Sequence, residues 1–569
     1  MVAAHEGGRG LVAALAAVWT FSPACNPIPP PGLPARNATI GFHGDRARLG
    51  TYSEEPELTP AKVATVVQVW ESAPFDTAVI GGVSFPPHVY GSPLYLVEVR
   101  ITGGLFVDLR VNVVIAATSN GMLYAVAASG ADAGAVHVDP GTILWRTPLG
   151  TPAIVPGHDA VAPAGVPAGV LGTPFIDIPS SRIYVVSNDA IAGWQAFAID
   201  VASGTIISGW PIALNLGPST AIAQRGALNL STSGDRLYVP FGGYAGSGPG
   251  SMAAIDTRAA KLVTTFSSVP DSSAPSGGMW APGGPAIDDT SRVFGMTGNA
   301  SPTSHDAPKT WGNTLLAWNE NLELAATYAP YNYCKLDEAG IDLGGSSPVV
   351  LPDLTATKTT TPHLVAFAGN GGTVYLLDRD HLNGGVEHRP ACGIDPALDT
   401  SLLSVQKKPI NVFGPDTDDT SAAVLSRVST TPAYFKNDHD KHFLFVTGGS
   451  STSLARLELV LTEGAPARLT VDAVETSLPF VNPGSPIVTS HGGIDPVVWV
   501  LDTNAGPSAS LLEATTPSPM LYAIDGITMG VVWKTTLGAL HVGGKNGAIT
   551  VARGTVFVAT DRINAFAAH

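Results

Sequence analysis

Cysteine is scarce: the 569 residues hold three, Cys25, Cys334 and Cys392. No CxxC, CxxCH or His/Cys cluster with zinc spacing occurs, which excludes a covalent haem attachment and a structural zinc site. Charge is thin as well. Charged residues make up 13% of the chain, with 30 basic against 46 acidic side chains and a formal net charge of -16. Nucleic-acid affinity depends on clustered Lys and Arg, and no basic stripe is present, so no nucleic-acid partner is expected. A GxSxG elbow is missing, which removes support for nucleophilic hydrolysis. Asp416 to Asp419 in GPDTDDTS and the turn NDHDKH at 437–442 hold several carboxylates, but neither has the DxDxDG spacing of a calcium loop, and no metal site is expected. The apolar run from Leu11 to Phe21 is too short to span a bilayer.

That run follows Arg9 and leads into small residues and Cys25, the shape of an export signal over residues 1–25. Ser22-Pro23-Ala24-Cys25 resembles a bacterial lipobox, with Phe21 and Pro23 departing from its usual form. Cys25 is therefore the lipidation candidate, and membrane contact is expected only through such an anchor. The alternative is an unstructured tail with an incidental Cys. Residues 26–37 form a Pro-rich tether without a core of its own. The protein is expected to be exported: periplasmic, anchored at the outer membrane, or extracellular. In that setting Cys334 and Cys392 either form one disulfide between long loops or stay as two buried thiols.

Glycine and proline are abundant, at 63 and 47 residues, and 45% of the chain is hydrophobic, the profile of an all-β fold with many short strands and turns. One phrase recurs, a small residue, then Pro or Ala, then an apolar strand. Its eight copies are anchored on Pro93, Pro174, Ala227, Pro285, Pro348, Pro432, Pro486 and Ala548. The spacing, roughly 50 to 85 residues, suits four-stranded propeller blades with variable loops. Second strands such as RIYVVS and TVFVAT follow, then third strands such as MLYAIDGITMG, then fourth strands bearing Trp, as in ILWRTPLG and VVWKTTLGA. The last unit supplies only three strands. VATVVQVWESA at 63–73 has the fourth-strand pattern and is expected to close the ring against it. Residues 38–569 are thus read as one eight-bladed β-propeller. Seven blades is the alternative, because SLARLELVLTEGAPARLTVDAVETSL lacks the Asp-Gly-Trp signature.

AFAIDVASGTIISGW at 196–210 and LYAIDGITMGVVW at 521–533 resemble the repeat of the pyrroloquinoline-quinone (PQQ)-like propellers, the quinoprotein alcohol dehydrogenase-like superfamily. FHGDRARLGTYSEEPELTPAKV, AQRGALNLS, MWAPGG and IDLGGSSPVVLP are similar to segments of secreted bacterial PQQ-like repeat proteins. That group is defined better by fold than by activity.

In such a fold the inner strands line a channel and begin on one face, beside the loops joining second and third strands. Long loops gather there, including the inserts at 150–172 and 381–429, whereas turns between first and second strands are short. Arg225, Trp280, Asn299, Asn313, Asp342 and Ser346 should converge on this long-loop face as a polar and aromatic rim. Arg can hold a carboxylate in bidentate fashion, and Trp can stack on a planar ligand or a sugar. The alternative has Arg225 tying blades together and Trp280 as a packed plug. His43, Asp45 and Arg48 form a polar cluster, either a catalytic pair or, as favoured here, a segment strapped across a propeller face. His158-Asp159 and His305-Asp306 read as solvated loop pairs.

These observations favour a scaffold that binds a protein partner or a small molecule on the long-loop face, without a cofactor. The alternative is a PQQ-dependent dehydrogenase with the quinone on Ca²⁺ in the channel. Dehydrogenases of that kind have adjacent cysteines capping the cofactor, and no two cysteines here are neighbours. Another hydrolase or lyase is the third reading, carried only by scattered His and acidic residues.

Overall fold

Each small-Pro-apolar phrase opens an inner strand, and eight antiparallel sheets follow from the eight copies. The computed structural model describes residues 38–569, apart from single positions 135, 219, 331, 371, 383 and 548 and segments 156–164, 244–248, 270–276, 302–306, 390–391, 393–410, 414–429, 449–452, 504–517 and 538–546. Cys25, the signal and tether, His158-Asp159, His305-Asp306 and Asp416 to Asp419 lie outside the described residues.

Blade 1 runs through Leu94–Arg100, Arg110–Thr118, Met122–Ala127 and Ile143–Pro148, from the channel outward. The inner strands of blades 2 to 7 are Phe175–Asp177, Asn229–Leu230, Ala286–Ile287, Val349–Val350, Ala433–Lys436 and Ile487–His491. Blade 8 comprises Ile549–Ala552, Thr555–Ala559 and Ile563–Ala568, completed by Val66–Glu71, which pairs antiparallel with Ile563–Ala568 from Val66 opposite Ala568 to Glu71 opposite Asn564. The ring is therefore closed by an N-terminal strand. Eight blades, not seven, are present: the sixth unit folds on alternating burial along Leu454–Val460 without the Asp-Gly-Trp signature. Eight apolar clusters fill the eight seams between blades.

The small residues before each Pro or Ala include glycines in close approach to a neighbouring segment and Ser or Thr whose hydroxyls bond to the neighbouring blade. Those positions are Ser92, Thr173, Gly226, Gly284, Ser347, Thr431, Ser485 and Gly547. The Ser92 N–H donates to Thr173 Oγ1 of the next blade at 2.8 Å, and the Thr431 N–H donates to Ser485 Oγ at 2.9 Å. A Cβ on Gly226 would stand 2.9 Å from the Ala281 carbonyl oxygen, and one on Gly284 would stand 2.0 Å from that of Ala227.

The FHGDRARLG segment does not lie across a face, as the sequence suggests; it runs down the channel. An inner strand has no neighbour on its axial side, so its amides need acceptors. Residues 39–50 supply them. The amides of Tyr95, Ile176, Ile287, Val350, Tyr434 and Val488 donate to the carbonyls of Thr39, Ile40, Arg46, Ala47, Leu49 and Gly50 at 2.7–3.2 Å. Each donor is the second residue after the blade's proline. Blade 3 is tied by side chains: Arg48 Nη2 donates to the Leu228 carbonyl at 2.7 Å and Arg46 Nε to that of Leu230 at 2.8 Å. On blade 8, Glu55 accepts the Arg553 and Gly554 amides at 3.0 and 2.6 Å. This axial arm thus touches every blade before the chain leaves by the short-turn face.

No hydrogen-bonded catalytic pair joins His43 and Asp45. His43 Nδ1 faces the Arg48 carbonyl at 3.2 Å, its ring stacks on Phe42 at 4.3 Å, and Asp45 Oδ1 accepts the Leu49 N–H at 3.1 Å. Burial pushes His43 down to about 3 and raises Asp45. The unfolded His43 takes a proton below about 6.5, whereas the folded one resists it until about 3, so the unfolded chain binds more protons in that window and stability rises with pH across it. The expected slope from this residue approaches about 1.4 kcal/mol per pH unit. Denaturant midpoints of the native chain and His43→Phe at pH values of about 7 and 5 check this; equal pH dependence in the two chains would contradict it.

Candidate functional site

The axial arm fills the channel, so the accessible ground is the mouth where the inner strands begin. The turn before blade 4 brings Trp280 there, because Gly242 and Gly278 let the chain pass closely: a Cβ on Gly242 would stand 3.1 Å from Trp280 Cβ. Gly298, at the corner between second and third strands of blade 4, is flanked on both sides. A Cβ on it would lie 3.1 Å from Trp280 Nε1 and 2.6 Å from Asp342 Oδ1. The Asn299 N–H donates to Asp342 Oδ1 at 2.8 Å, and the Asn299 carbonyl accepts the Gly277 N–H at 2.6 Å. Trp280, Asn299 and Asp342 are thereby held as one half-buried group across blades 4 and 5.

Asn313 and Ser346 lie beneath this group and are fully buried. Asn313 Nδ2 donates to Asn299 Oδ1 and to Asp337 Oδ1, both at 2.9 Å, and Asn313 Oδ1 accepts the Leu343 N–H at 2.6 Å. The Ser346 hydroxyl lies 3.3 Å from the Ala368 N–H that donates to it. Both support the mouth from below.

Arg225 is half-buried at the start of blade 3, next to the Trp280 turn: the Ala227 N–H donates to the Pro282 carbonyl at 2.9 Å. Burial lowers its basicity, opposed by the neighbouring Tyr90 phenol, itself pushed up to about 12 by burial. Tyr90 carries no motif in the sequence; its place three residues before Pro93, beside the inner strand of blade 1, is the only signal.

A second support comes from the segment after blade 5's third strand. It belongs to the insert at 381–429 that the sequence places wholly on the long-loop face. It leaves instead from the short-turn face, because it joins third and fourth strands, and climbs the outer edge of blade 4. At the mouth Arg389 pairs with Asp337 at 3.3 Å, lies over the Tyr333 ring at 3.8 Å and donates to the Gly312 carbonyl at 2.6 Å. Cys392 forms a disulfide with Cys334, with Cα atoms 6.0 Å apart.

No protein-family profile and no curated protein matches this chain. Among solved structures it shares the eight-bladed propeller of the quinoprotein alcohol dehydrogenases. A europium-containing methanol dehydrogenase aligns over 92% of this chain and 89% of its own at 15% identity and TM-score 0.52. The quinohemoprotein alcohol dehydrogenases from Comamonas testosteroni and Pseudomonas putida HK5 each align over 94% of this chain and 80% of theirs, at 14% and 11% identity, with TM-score 0.57. At these identities the likeness is one of fold.

Ca²⁺ takes six to eight oxygen ligands, of which a bound quinone supplies part and protein carboxylates, carboxamides or carbonyls the rest. Among the described residues no group of three or more His, Cys, Asp and Glu side chains is placed to hold a metal. Asp342 Oδ1 is engaged by the Asn299 amide, and Asp337 by Ala300, Asn313 and Arg389. The cysteines are joined across 58 residues rather than as neighbours. Among the described residues no carboxylate set for Ca²⁺ is gathered at the mouth, and residues 39–50 occupy the channel in which a quinone would sit. The NDHDKH turn is likewise structural: Asp440 pairs with Lys358 and Lys436, and His442 Nδ1 meets the Tyr434 hydroxyl at 2.6 Å.

Proposed function

We propose that this protein is a binding propeller whose working surface is the channel mouth on the long-loop face, formed by Arg225, Trp280, Asn299 and Asp342. The observation that carries this reading is the grouping of a half-buried indole with a carboxylate and a carboxamide over a channel closed by the chain's own arm. A flat apolar face beside hydrogen-bonding groups of both kinds suits a small polyhydroxylated or aryl ligand, or a partner loop bearing one. Exported placement, with Cys25 as the anchor, belongs to the same proposal and accords with a scaffold that needs no soluble cofactor.

The reading predicts that at least one probe in a set of aldohexoses, disaccharides, sugar acids and aryl carboxylates quenches tryptophan fluorescence saturably. Trp280→Ala and Asp342→Asn should each weaken that probe by at least about tenfold, as expected for a stacking or charged hydrogen-bonding contact. Saturable binding unchanged in both variants would place the site elsewhere.

A further inference from the structure

Residues 379–382, 384–389 and 392 mark a strap that runs from the short-turn face to the mouth. At its root on the short-turn face, Arg379 pairs with Asp353 at 2.5 Å, and Arg292 bridges Asp288 and Asp380 at 2.7 Å each. Midway, the Gly384 N–H donates to the Thr327 carbonyl, and Thr327 Oγ1 donates to the Gly385 carbonyl, both at 2.8 Å, which seats the strap on blade 4's outer strand. At its tip, the Lys309 N–H donates to the Glu387 carbonyl at 2.9 Å, Arg389 reaches Asp337, and Cys392 is bonded to Cys334.

Asp337 is the hub between the strap and the mouth. One carboxylate oxygen accepts the Ala300 N–H at 2.8 Å and the Asn313 carboxamide at 2.9 Å, and the other faces Arg389. Asn313 in turn holds Asn299 and the amide of Leu343, the residue after Asp342. Asp337 and Arg389 are both buried, so losing the cation leaves a carboxylate in a low-dielectric site that must rehydrate or move. The amides and side chains that Asp337 and Asn313 organise must move with it.

We propose that the strap is the positioning element of the mouth, with Arg389 acting through Asp337 and Asn313 on Asn299 and Asp342. The Cys334–Cys392 bond is the clip that makes this positioning sensitive to thiols. A dithiol reductant supplies two electrons and two protons: the protein S–S bond breaks, two protein thiols form, and the reductant leaves as its own disulfide. The clipped state presents an ordered mouth and the reduced state a loosened one. This rests on the mouth being the binding surface, but its test reads the order of the mouth rather than binding, so either idea can fail alone.

The test is hydrogen exchange by mass spectrometry on the full chain, oxidised, dithiol-treated and reoxidised, with Arg389→Met and Arg389→Lys alongside. Reduction and Arg389→Met should each speed exchange at least about tenfold in peptides carrying the amides of Asn299, Ala300 and Leu343. Reoxidation and Arg389→Lys should restore protection, and blade 1 should stay unchanged throughout. The Trp280 emission, taken as the difference from Trp280→Phe, should shift to the red on reduction. Unchanged exchange at those amides with both thiols shown by alkylation to be free would overturn the proposal. Equal acceleration in every blade would overturn it too, because the bond would then serve global stability.

Discussion

A chain beginning at residue 59 is expected to lose the folded propeller, whereas one beginning at residue 38 should keep it. The axial arm satisfies six inner-strand amides and carries Arg48, whose side chain donates to the carbonyls of Phe42, Asp45, Leu228 and Pro285. Arg48 is fully buried, and burial lowers it to about 9. The truncated chain leaves those six amides and the Leu228 and Pro285 carbonyls without their partners, at about 1–3 kcal/mol for each that stays buried. Several such groups together exceed the net stability of an ordinary domain. Arg48→Met is the milder form of the same experiment. It keeps the chain and removes the donors, and should lower unfolding free energy by about 3–5 kcal/mol in a denaturant titration. A loss below about 1 kcal/mol would show that the arm is an accessory rather than a keystone.

Gly484→Ala is expected to be nearly as damaging, although it adds one methyl group. Gly484 lies two residues before Pro486, and an added Cβ would stand 2.0 Å from the Gly547 carbonyl oxygen and 3.1 Å from that of Leu501. Both neighbours are backbone, so relief requires blades 7 and 8 to separate along the seam. Its φ is not left-handed, so crowding alone is measured. The expected loss is about 3 kcal/mol or more, at the upper end of overpacking effects. Gly385→Ala is the control, since nothing lies within 4 Å of its Cβ position. Equal melting temperatures for the two variants would refute the steric account of this seam.

Repetition made the fold legible, because the same phrase must meet the same neighbour eight times, and the missing fourth strand of the last blade left one candidate upstream. The course of the arm was not legible. Whether FHGDRARLG crosses a face or fills a channel depends on amides contributed by blades hundreds of residues away. For the site, the sequence supplied residues of the right type near the mouth but could not separate exposure from support: Trp280, Asn299 and Asp342 are half-buried at the surface, whereas Asn313 and Ser346 are fully enclosed. The Asp337–Arg389 pair has no local pattern, since its partners are 52 residues apart and meet only because the strap climbs blade 4.

For this propeller, alike in fold to the quinoprotein alcohol dehydrogenases, we propose binding without quinone chemistry. The deciding experiment is calorimetric titration of the full protein with PQQ in the presence of Ca²⁺, followed by dye reduction with simple alcohols and sugars. No Ca²⁺-dependent quinone binding and no dye reduction above the protein-free rate are expected; saturable binding with alcohol-dependent dye reduction, abolished by Trp280→Ala, would make the mouth a redox centre and refute the proposal.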